Sequence, residues 1–190
     1  MPAEIYLIRH GETEWNKEKR FQGNMDSPLT DLGRRQAVSS AQILARALKE
    51  KNQTLTFQTS PLGRARETAV IIQEHCALSK PVIDLRLREK SMGSWDGLTH
   101  EEVKVRWPDH QHNWKMREAP DGETFDLCRD RISKWLGDQS GVVVAVSHGV
   151  TSRVLRGHYL GLPREEAMRL PVPQGVVWRI YRGKVDVLES

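Results

Sequence analysis

Short continuous runs of apolar residues alternate along the chain with longer segments in which apolar residues recur every three or four positions. A short run that ends at turn residues is typical of a buried strand, and the valine-rich run 141–146 is typical of a central parallel strand covered on both faces. Two late runs, 176–181 and 185–188, flank Arg182-Gly183 and predict a hairpin. The remaining runs predict strands, or an extended segment in the third case, at 5–8, 55–58 and 82–87.

The longer segments carry the periodicity of amphipathic helices. In the segment 31–51, Ala41, Leu44 and Leu48 fall on one face. Thr30 precedes this segment and can serve as its N-cap. Helical segments between successive strands are the crossovers that parallel strands require, so the pattern predicts an α/β protein with a mostly parallel central sheet. Further helices are predicted at 61–76, at about 122–136 and at 150–159.

Polar and charged residues follow the predicted strands at the points where the strands end. Arg9-His10-Gly11 follows the first strand, and Ser147-His148-Gly149 follows the valine-rich run. After the second strand, Ser60 and Pro61 suit the N-cap and the first position of a helix. The carboxyl ends of parallel strands lie at one edge of a sheet, where open α/β proteins bind ligands, so side chains from these segments are expected to converge. The expected group consists of Arg9, His10, Arg64, Glu89 and His148.

The residue types in this group point to phosphate chemistry. Histidine can attack phosphorus and carry a covalent phosphoryl group, and a neighbouring guanidinium can bind the phosphoryl oxygens through two hydrogen bonds. Arg64 is expected in the first turn of a helix, where a positive charge is unfavourable unless it holds an anion bound at the same place. A phosphate-handling site is therefore the first functional hypothesis.

The motifs of the chain form an ordered series from Ile5 to about Leu155. They are Arg9-His10-Gly11-Glu12-Thr13, Asn16, Phe21-Gln22-Gly23, Leu29-Thr30 with Gly33, Ser60-Pro61-Leu62 with Arg64-Ala65 and Thr68-Ala69, Leu87 and Glu89 with Gly93, Trp95 and Gly97, Pro120 with Gly122-Glu123, and Val146-Ser147-His148-Gly149. Together they strongly resemble the histidine phosphatase superfamily, in its phosphoglycerate mutase-like branch. The resemblance implies a three-layer α/β/α sandwich and a single domain spanning residues 1–190.

The resemblance also implies a role for each residue of the group. His10 is the expected nucleophile, and it would form a phosphohistidine that water then hydrolyses. Arg9, Arg64 and His148 are expected to surround the transferring phosphoryl group. Glu89 is the expected proton donor to the departing oxygen. Further residues implied to line the phosphate pocket are Asn16, Gln22, Gly23 and Gly149, and no cofactor and no metal ion is implied.

The reaction has three candidate interpretations. Mutases of this family carry a longer insertion after the Glu89 region, whereas here the interval holds the polar segment 99–119. This length favours a phosphatase for small phosphomonoesters over a cofactor-dependent phosphoglycerate mutase, although Lys115 and Arg117 could bind a second anionic group. A non-catalytic, phosphate-binding regulatory protein would require a damaged catalytic set, and the set is complete.

Some positions depart from the family pattern or leave alternatives open. Asp96 stands where relatives often have glutamate, and 173–175 lacks the asparagine that many phosphatases carry near the final strand. His110-Gln111-His112 has a spacing that metal sites use, but without a third ligand solvated side chains are favoured. The aromatic and methionine residues of the 99–119 segment could form a substrate lid or a small satellite core. These residues are Trp107, Trp114 and Met116.

Composition agrees with a small enzyme. The chain has 190 residues, of which 38% are hydrophobic, and this is enough for one domain with a substantial core. The net charge of +4 arises from scattered basic residues, so a cationic pocket for a small phosphorylated metabolite is expected rather than a nucleic-acid surface. No apolar run approaches a membrane span and no leader precedes the first strand, so a cytoplasmic location without a membrane partner is expected. Cys76 and Cys128 are expected to be buried free thiols, and the oligomeric state is open, with a homodimer as one option.

Overall fold

A six-stranded sheet forms the centre of the computed structural model, which describes residues 3–49, 51, 55–108, 118–119 and 121–189. The strands are β1 (Glu4–Arg9), β2 (Leu55–Thr59), β3 (Val82–Ile83), β4 (Val142–Ser147), β5 (Val177–Tyr181) and β6 (Lys184–Leu188). The α-helices of the described segments are α1 (Glu14–Lys17), α2 (Asp31–Leu48), α3 (Gly63–Cys76), α4 (His100–Arg106), α5 (Phe125–Gly137), α6 (Gly149–Tyr159) and α7 (Arg164–Arg169). Short 3-10 helices lie at Leu85–Leu87 and Gly93–Trp95.

The register of the parallel strands brings their carboxyl ends to one edge of the sheet. The strand order is β3-β2-β4-β1-β5-β6, in which β3, β2, β4 and β1 are parallel, β5 is antiparallel to β1 and β6 is antiparallel to β5. Arg9 is paired with Ser147, and Thr59 with Val146. The prediction of a mostly parallel sheet is confirmed. The residues that directly follow β1, β2 and β4 therefore lie side by side.

Helices cover both faces of this sheet. On one face α2 and α3 pack Leu44 and Ile72 against Val144. On the other face α5 and α6 pack Trp135 and Leu155 against Val143. Every residue of β4 is buried, as expected for a strand with apolar neighbours on both sides. The predicted three-layer α/β/α sandwich is confirmed, and no helix of the described segments is long and apolar enough to cross a membrane.

Most predicted elements occur, with shifts at their ends. Thr30 caps α2, because its hydroxyl accepts a hydrogen bond from the amide of Gly33 at 3.0 Å. Arg182 and Gly183 form the hairpin turn, and both have positive φ angles. Helix α5 begins later than predicted, since the hydroxyl of Thr124 caps it. The sequence does not predict α1, α4 and α7, since helices of about two turns or fewer show too little periodicity.

Two predictions of local structure are wrong. Only the first residues of 82–87 form a strand, because the Asp84 carboxylate accepts a hydrogen bond from the Arg86 amide at 2.8 Å and caps a 3-10 turn. Ser60 does not cap α3, which begins three residues later at Gly63. The carboxylate of Asp26, which lies far away in sequence, accepts the amides of Gly63 and Arg64 instead. Long-range capping of this kind leaves no local signal in the sequence.

The two cysteines are free thiols. Cys128 is fully buried, as predicted. Cys76 is only partly buried, with its thiol 3.1 Å from the carbonyl of Ala41, so the prediction of full burial is wrong for this residue. The end of α3 lies closer to the surface than its apolar pattern indicates.

The loop that follows β1 is held against the first turn of α2 by a direct backbone contact. A Cβ atom on Gly33 would lie 2.1 Å from the carbonyl oxygen of Glu12, and a Cβ atom on Gly11 would lie 2.2 Å from the carbonyl oxygen of Gly33. The Thr30 amide donates to the same Glu12 carbonyl at 2.9 Å. Glycine is therefore required at both positions to let the two backbone segments approach.

We expect Gly33→Ala to destabilise the protein by about 1–3 kcal/mol, because the new methyl group forces the loop and helix apart. Each kcal/mol should lower Tm by about 2–4 °C in a chain of this size. Gly137→Ala is the matched control, since no atom lies within 4 Å of its Cβ position at the end of α5. It should be neutral or stabilise by about 0.5–1 kcal/mol. Thermal melts of both variants check this, and equal behaviour would contradict the close contact.

Candidate active site

A cavity of about 260 Å³ opens at the carboxyl edge of the sheet. The predicted site residues on its wall are Arg9, His10, Asn16, Gln22, Gly23, Arg64, Glu89 and Gly149. Lys19, Arg20, Phe21, Met92, His100, Val150, Arg153 and Val172 complete the lining. His148 is fully buried beside the cavity, and its ring centroid lies 5.1 Å from that of His10. The structure thus brings the whole predicted group together.

His10 presents an unprotonated ring nitrogen at this cavity. Its Nδ1–H donates to the carbonyl of Gly11 at 2.7 Å, so the lone pair of the neutral ring lies on Nε2. The Nε–H of Arg64 donates to that Nε2 at 3.3 Å. Burial lowers the pKa of His10 well below its usual value of 6.5, and the charges of Arg64 and Arg9 lower it further. A neutral imidazole with an unprotonated nitrogen next to cationic groups can attack an anionic phosphorus centre once substrate oxygens take over the Arg64 donor.

His148 stands at the N-cap position of α6, immediately after β4. Its Nε2 lies 2.6 Å from the hydroxyl oxygen of Ser60, which follows β2. Its Nδ1 is buried and has no hydrogen-bond partner among the described residues. Burial is again the main reason that the pKa of His148 lies well below 6.5, and Arg64 adds to the effect. The site therefore contains a second neutral imidazole with one nitrogen still available.

Two arginines, Arg64 buried and Arg9 partly buried, supply positive charge near His10. Arg64 is 2% exposed, and its guanidinium donates to the carbonyls of Met25 and Gly23 at 2.5 and 2.9 Å. Arg9 donates through Nη1 to the carbonyl of Val172 at 2.6 Å, while its buried Nε has no partner in the described part of the chain. Burial lowers the pKa of Arg9 to about 10, which still leaves it charged at neutral pH.

Glu89 is held at the beginning of α6. Its Oε1 accepts the amides of Lys90 at 2.9 Å and Thr151 at 3.0 Å, together with the Thr151 hydroxyl at 3.0 Å. Its Oε2 accepts the amide of Val150 at 3.1 Å. A carboxylate at a helix N-terminus is favoured by the helix dipole and by the free amides. These contacts fix the carboxyl group at the cavity wall.

The remaining predicted pocket residues serve partly as scaffold. Asn16 accepts the Thr13 amide at 3.1 Å through its side-chain oxygen and completes a capping box on α1. Gln22 is buried, and its Oε1 has no partner among the described residues. Gly23 has a φ of +44°, and a Cβ atom there would lie 1.9 Å from a carboxylate oxygen of Asp96. The Gln22-Gly23 corner therefore needs glycine to reach the cavity.

Sequence reasoning missed the contacts made by Gln174 and Ser60. The side-chain amide of Gln174 donates to the His10 carbonyl at 3.1 Å and to Asn16 Oδ1 at 3.3 Å. Gln174 is noticeable in the sequence only as a departure from the family pattern, and Ser60 only as a potential helix cap. Their partners lie more than 80 residues away, so local patterns could not identify them.

Part of the predicted lid lies outside the described residues. Trp107 is described and packs with its ring centroid 6.3 Å from that of Trp95, as expected for a satellite core. The other residues proposed for a lid, a metal site or a second anion contact fall outside the described segments. They are His110, His112, Trp114, Lys115, Met116 and Arg117.

Comparison with known proteins agrees with the motifs. Residues 5–185 match the model of the histidine phosphatase superfamily (branch 1). The chain is 37% identical over 175 residues to glucosyl-3-phosphoglycerate phosphatase of Mycolicibacterium vanbaalenii, covering 84% of this chain and 75% of that protein. It is 38% identical over 185 residues to the probable phosphoglycerate mutase GpmB of Shigella boydii serotype 18, covering 88% and 79% respectively.

A solved structure shows the same architecture. The mycobacterial glucosyl-3-phosphoglycerate phosphatase in complex with VO3 has a TM-score of 0.82 and 28% sequence identity, with 98% of both chains covered. The relatives are phosphatases or phosphoglycerate mutase-like enzymes, which confirms the predicted fold and the predicted enzyme class. From the family match over nearly its whole length, this chain belongs to the histidine phosphatase superfamily.

Proposed function

We propose that this chain is a phosphatase that hydrolyses small phosphomonoesters through a phosphohistidine on Nε2 of His10. The observation that carries the proposal is the state of His10, a neutral ring whose Nε2 lone pair accepts from the buried Arg64 guanidinium and feels the positive charge of Arg9. Attack of Nε2 on phosphorus breaks the bond to the ester oxygen and forms a phosphorus–nitrogen bond. Water then attacks the phosphohistidine, releases orthophosphate and restores the ring.

Arg9, Arg64 and His148 would hold the transferring group. Charge spreads over the equatorial phosphoryl oxygens in the transition state, and preformed donors that match this charge lower the barrier. Arg9 Nε and, when its proton is on Nδ1, His148 are donors of this kind, and neither nitrogen has a partner in the described part of the chain. Because the guanidinium groups neutralise the phosphate, we infer a reaction that needs no metal ion, and a chelator should leave the rate unchanged.

Glu89 would protonate the departing ester oxygen and later accept a proton from the attacking water. The backbone amides of Val150 and Thr151, at the start of α6, both donate to the oxygens of Glu89, so the group is positioned as an acceptor before substrate arrives. A phosphomonoester that binds as its monoanion brings the proton that this role requires. His148 occupies the N-cap position of the same helix, so α6 fixes the position of Glu89 relative to that of His148.

The shape and charge of the cavity favour a small anionic substrate. A volume of about 260 Å³ is at the lower end for ligand pockets, and it suits a phosphate with a small alcohol portion. Lys19 and Arg153 extend the positive lining beyond the phosphate-binding group. Phosphomonoesters with a carboxylate or another anionic group fit this lining, which agrees with the substrate in the name of the Mycolicibacterium relative.

A phosphoglycerate mutase is the second candidate, since a relative at 38% identity carries that name. We favour the phosphatase because a mutase must shield its phosphohistidine from water, and the 99–119 segment is short for that purpose. A regulatory protein that binds phosphate without turnover is the third candidate.

We further propose that residues 1–190 form one domain.

Assays of orthophosphate release and of phosphoryl exchange between phosphoglycerates distinguish the phosphatase, the mutase and the regulatory protein. With 3-phosphoglycerate and other small phosphomonoesters, we expect orthophosphate release to exceed interconversion of 2- and 3-phosphoglycerate. His10→Ala should lower turnover by at least about 10³-fold and abolish covalent labelling by substrate, because Nε2 of His10 is the proposed site of phosphoryl attachment. Dominant interconversion would establish the mutase instead. Orthophosphate binding without turnover or labelling would establish the regulatory protein.

Glu89→Gln should discriminate between leaving groups. Alkyl phosphates need a proton on the departing oxygen, so their kcat/KM should fall by about 10²–10⁴-fold. An activated aryl phosphate leaves without that proton, and its rate should fall much less. Parallel assays with glycerol phosphate and p-nitrophenyl phosphate measure the difference. Equal losses on both substrates would remove Glu89 from the proton-donor role.

The neutral histidines predict a definite pH dependence of stability. The unfolded chain takes up protons on His10 and His148 near pH 6.5, whereas the folded chain does so only at much lower pH because their pKa values are lowered. Stability should therefore fall as the pH decreases through about 6.5. Burial raises the pKa of Asp96 to about 6, so protonation of this group stabilises the folded chain as the pH decreases and opposes the effect of the histidines. We therefore compare the histidine variants in an Asp96→Asn background.

In that background, His10→Gln and His148→Gln should each flatten the decrease of Tm between about pH 7.5 and 5, because each removes one group that the unfolded chain protonates. NMR titration of the ring nitrogens provides the direct measurement. An imidazolium signal from either ring at pH 6 would contradict the assignment.

A further inference from the structure

The hydrogen bond between Ser60 and His148 determines which nitrogen of His148 can face a ligand. Both residues are fully buried, and the Ser60 hydroxyl oxygen lies 2.6 Å from His148 Nε2. The other nitrogen, Nδ1, is buried without a partner among the described residues. A neutral imidazole has one donor and one acceptor nitrogen, and the partner of one nitrogen sets the role of the other.

The surroundings of Ser60 decide the direction of this hydrogen bond. The Ser60 hydroxyl oxygen accepts the amide of Leu62 at 3.3 Å, and the only other contact that it makes with a described residue is to His148 Nε2. If Nε2 donated, the hydroxyl proton would have no acceptor there, and Nδ1 would present a lone pair beside the site of an anion. If the hydroxyl donates, both groups are satisfied and Nδ1 carries the proton.

The backbone fixes Ser60 in this position. Its amide donates to the carbonyl of Val146 at 3.0 Å, which ties the residue after β2 to the end of β4. The hydroxyl and the imidazole are therefore placed by neighbouring parallel strands, not by flexible loops. A buried Nδ1–H without a protein acceptor costs free energy until an anion accepts it, so the site is prepared for a ligand oxygen.

We propose that Ser60 is a positioning residue that holds His148 in the tautomer with its proton on Nδ1. His148 then donates to a phosphoryl oxygen as a neutral ring, without having to be protonated in a cavity already bordered by Arg9 and Arg64. This inference rests on the proposed phosphatase function only for its kinetic consequence. The tautomer itself can be measured in the resting protein.

Ring-nitrogen NMR of the wild-type protein and of Ser60→Ala tests the proposal. We expect the wild-type His148 ring to be protonated on Nδ1 alone, and Ser60→Ala to populate the other tautomer. In the kinetic assay, Ser60→Ala should lower kcat by about 10- to 100-fold with little change in KM, less than the 10²–10³-fold loss that follows outright removal of such a donor.

Two variants control for structural effects. Thr59→Val removes the neighbouring buried hydroxyl, which has no partner among the described residues, and should leave the His148 tautomer and kcat unchanged. Ser60→Thr keeps a hydroxyl and should retain the Nδ1 tautomer. A wild-type ring protonated on Nε2 would overturn the proposal, as would an unchanged tautomer and kcat in Ser60→Ala. A wild-type protein without phosphatase activity but with the Nδ1 tautomer would instead count against the proposed function alone.

Discussion

The burial of positive charge at one edge of the sheet is the constraint on which the rest of this structure depends. Arg9 has no carboxylate partner among the described residues, and Arg64 has only the half-exposed Asp26. Peptide carbonyls solvate both guanidinium groups, and a carbonyl dipole satisfies a donor without cancelling its charge. The site can therefore keep a net positive potential in a desolvated setting, where an anion is bound far more strongly than in water.

The same constraint explains why the two imidazoles are neutral. A protonated ring beside buried guanidinium groups would add like charge to a region of low dielectric, so both His10 and His148 are held in the unprotonated form. Each ring then needs a partner that directs its remaining proton. The Gly11 carbonyl accepts the Nδ1 proton of His10, whereas the hydroxyl of Ser60 contacts Nε2 of His148 and leaves the proton of that ring on Nδ1. The positive charge of the arginines, the tautomers of the two imidazoles and the register of the strands that place them therefore depend on one another.

The sequence predicts those parts of the site that depend on local pattern. His10 and His148 directly follow apolar runs, and parallel pairing of such runs places them together, so their convergence could be predicted. Contacts that depend on how loops fold over the sheet could not. The capping of α3 by Asp26 and the contact of Gln174 with His10 join segments whose spacing in sequence carries no periodic signal. The position of Glu89 after the third apolar run and the family resemblance predict its place in the site, but its attachment to α6 needed the three-dimensional structure.

The segment 170–174 links the wall of the cavity to its chemistry. Arg9, Arg153 and Arg156 each donate to one of three successive carbonyls of this segment, and Gln174 reaches back to the carbonyl of His10. A substitution that reshapes this wall would also disturb the backbone that carries the nucleophile. Evolution toward a new substrate would therefore meet less resistance in the part of the lining formed by residues 19–21, whose hydrogen bonds run to other parts of the chain.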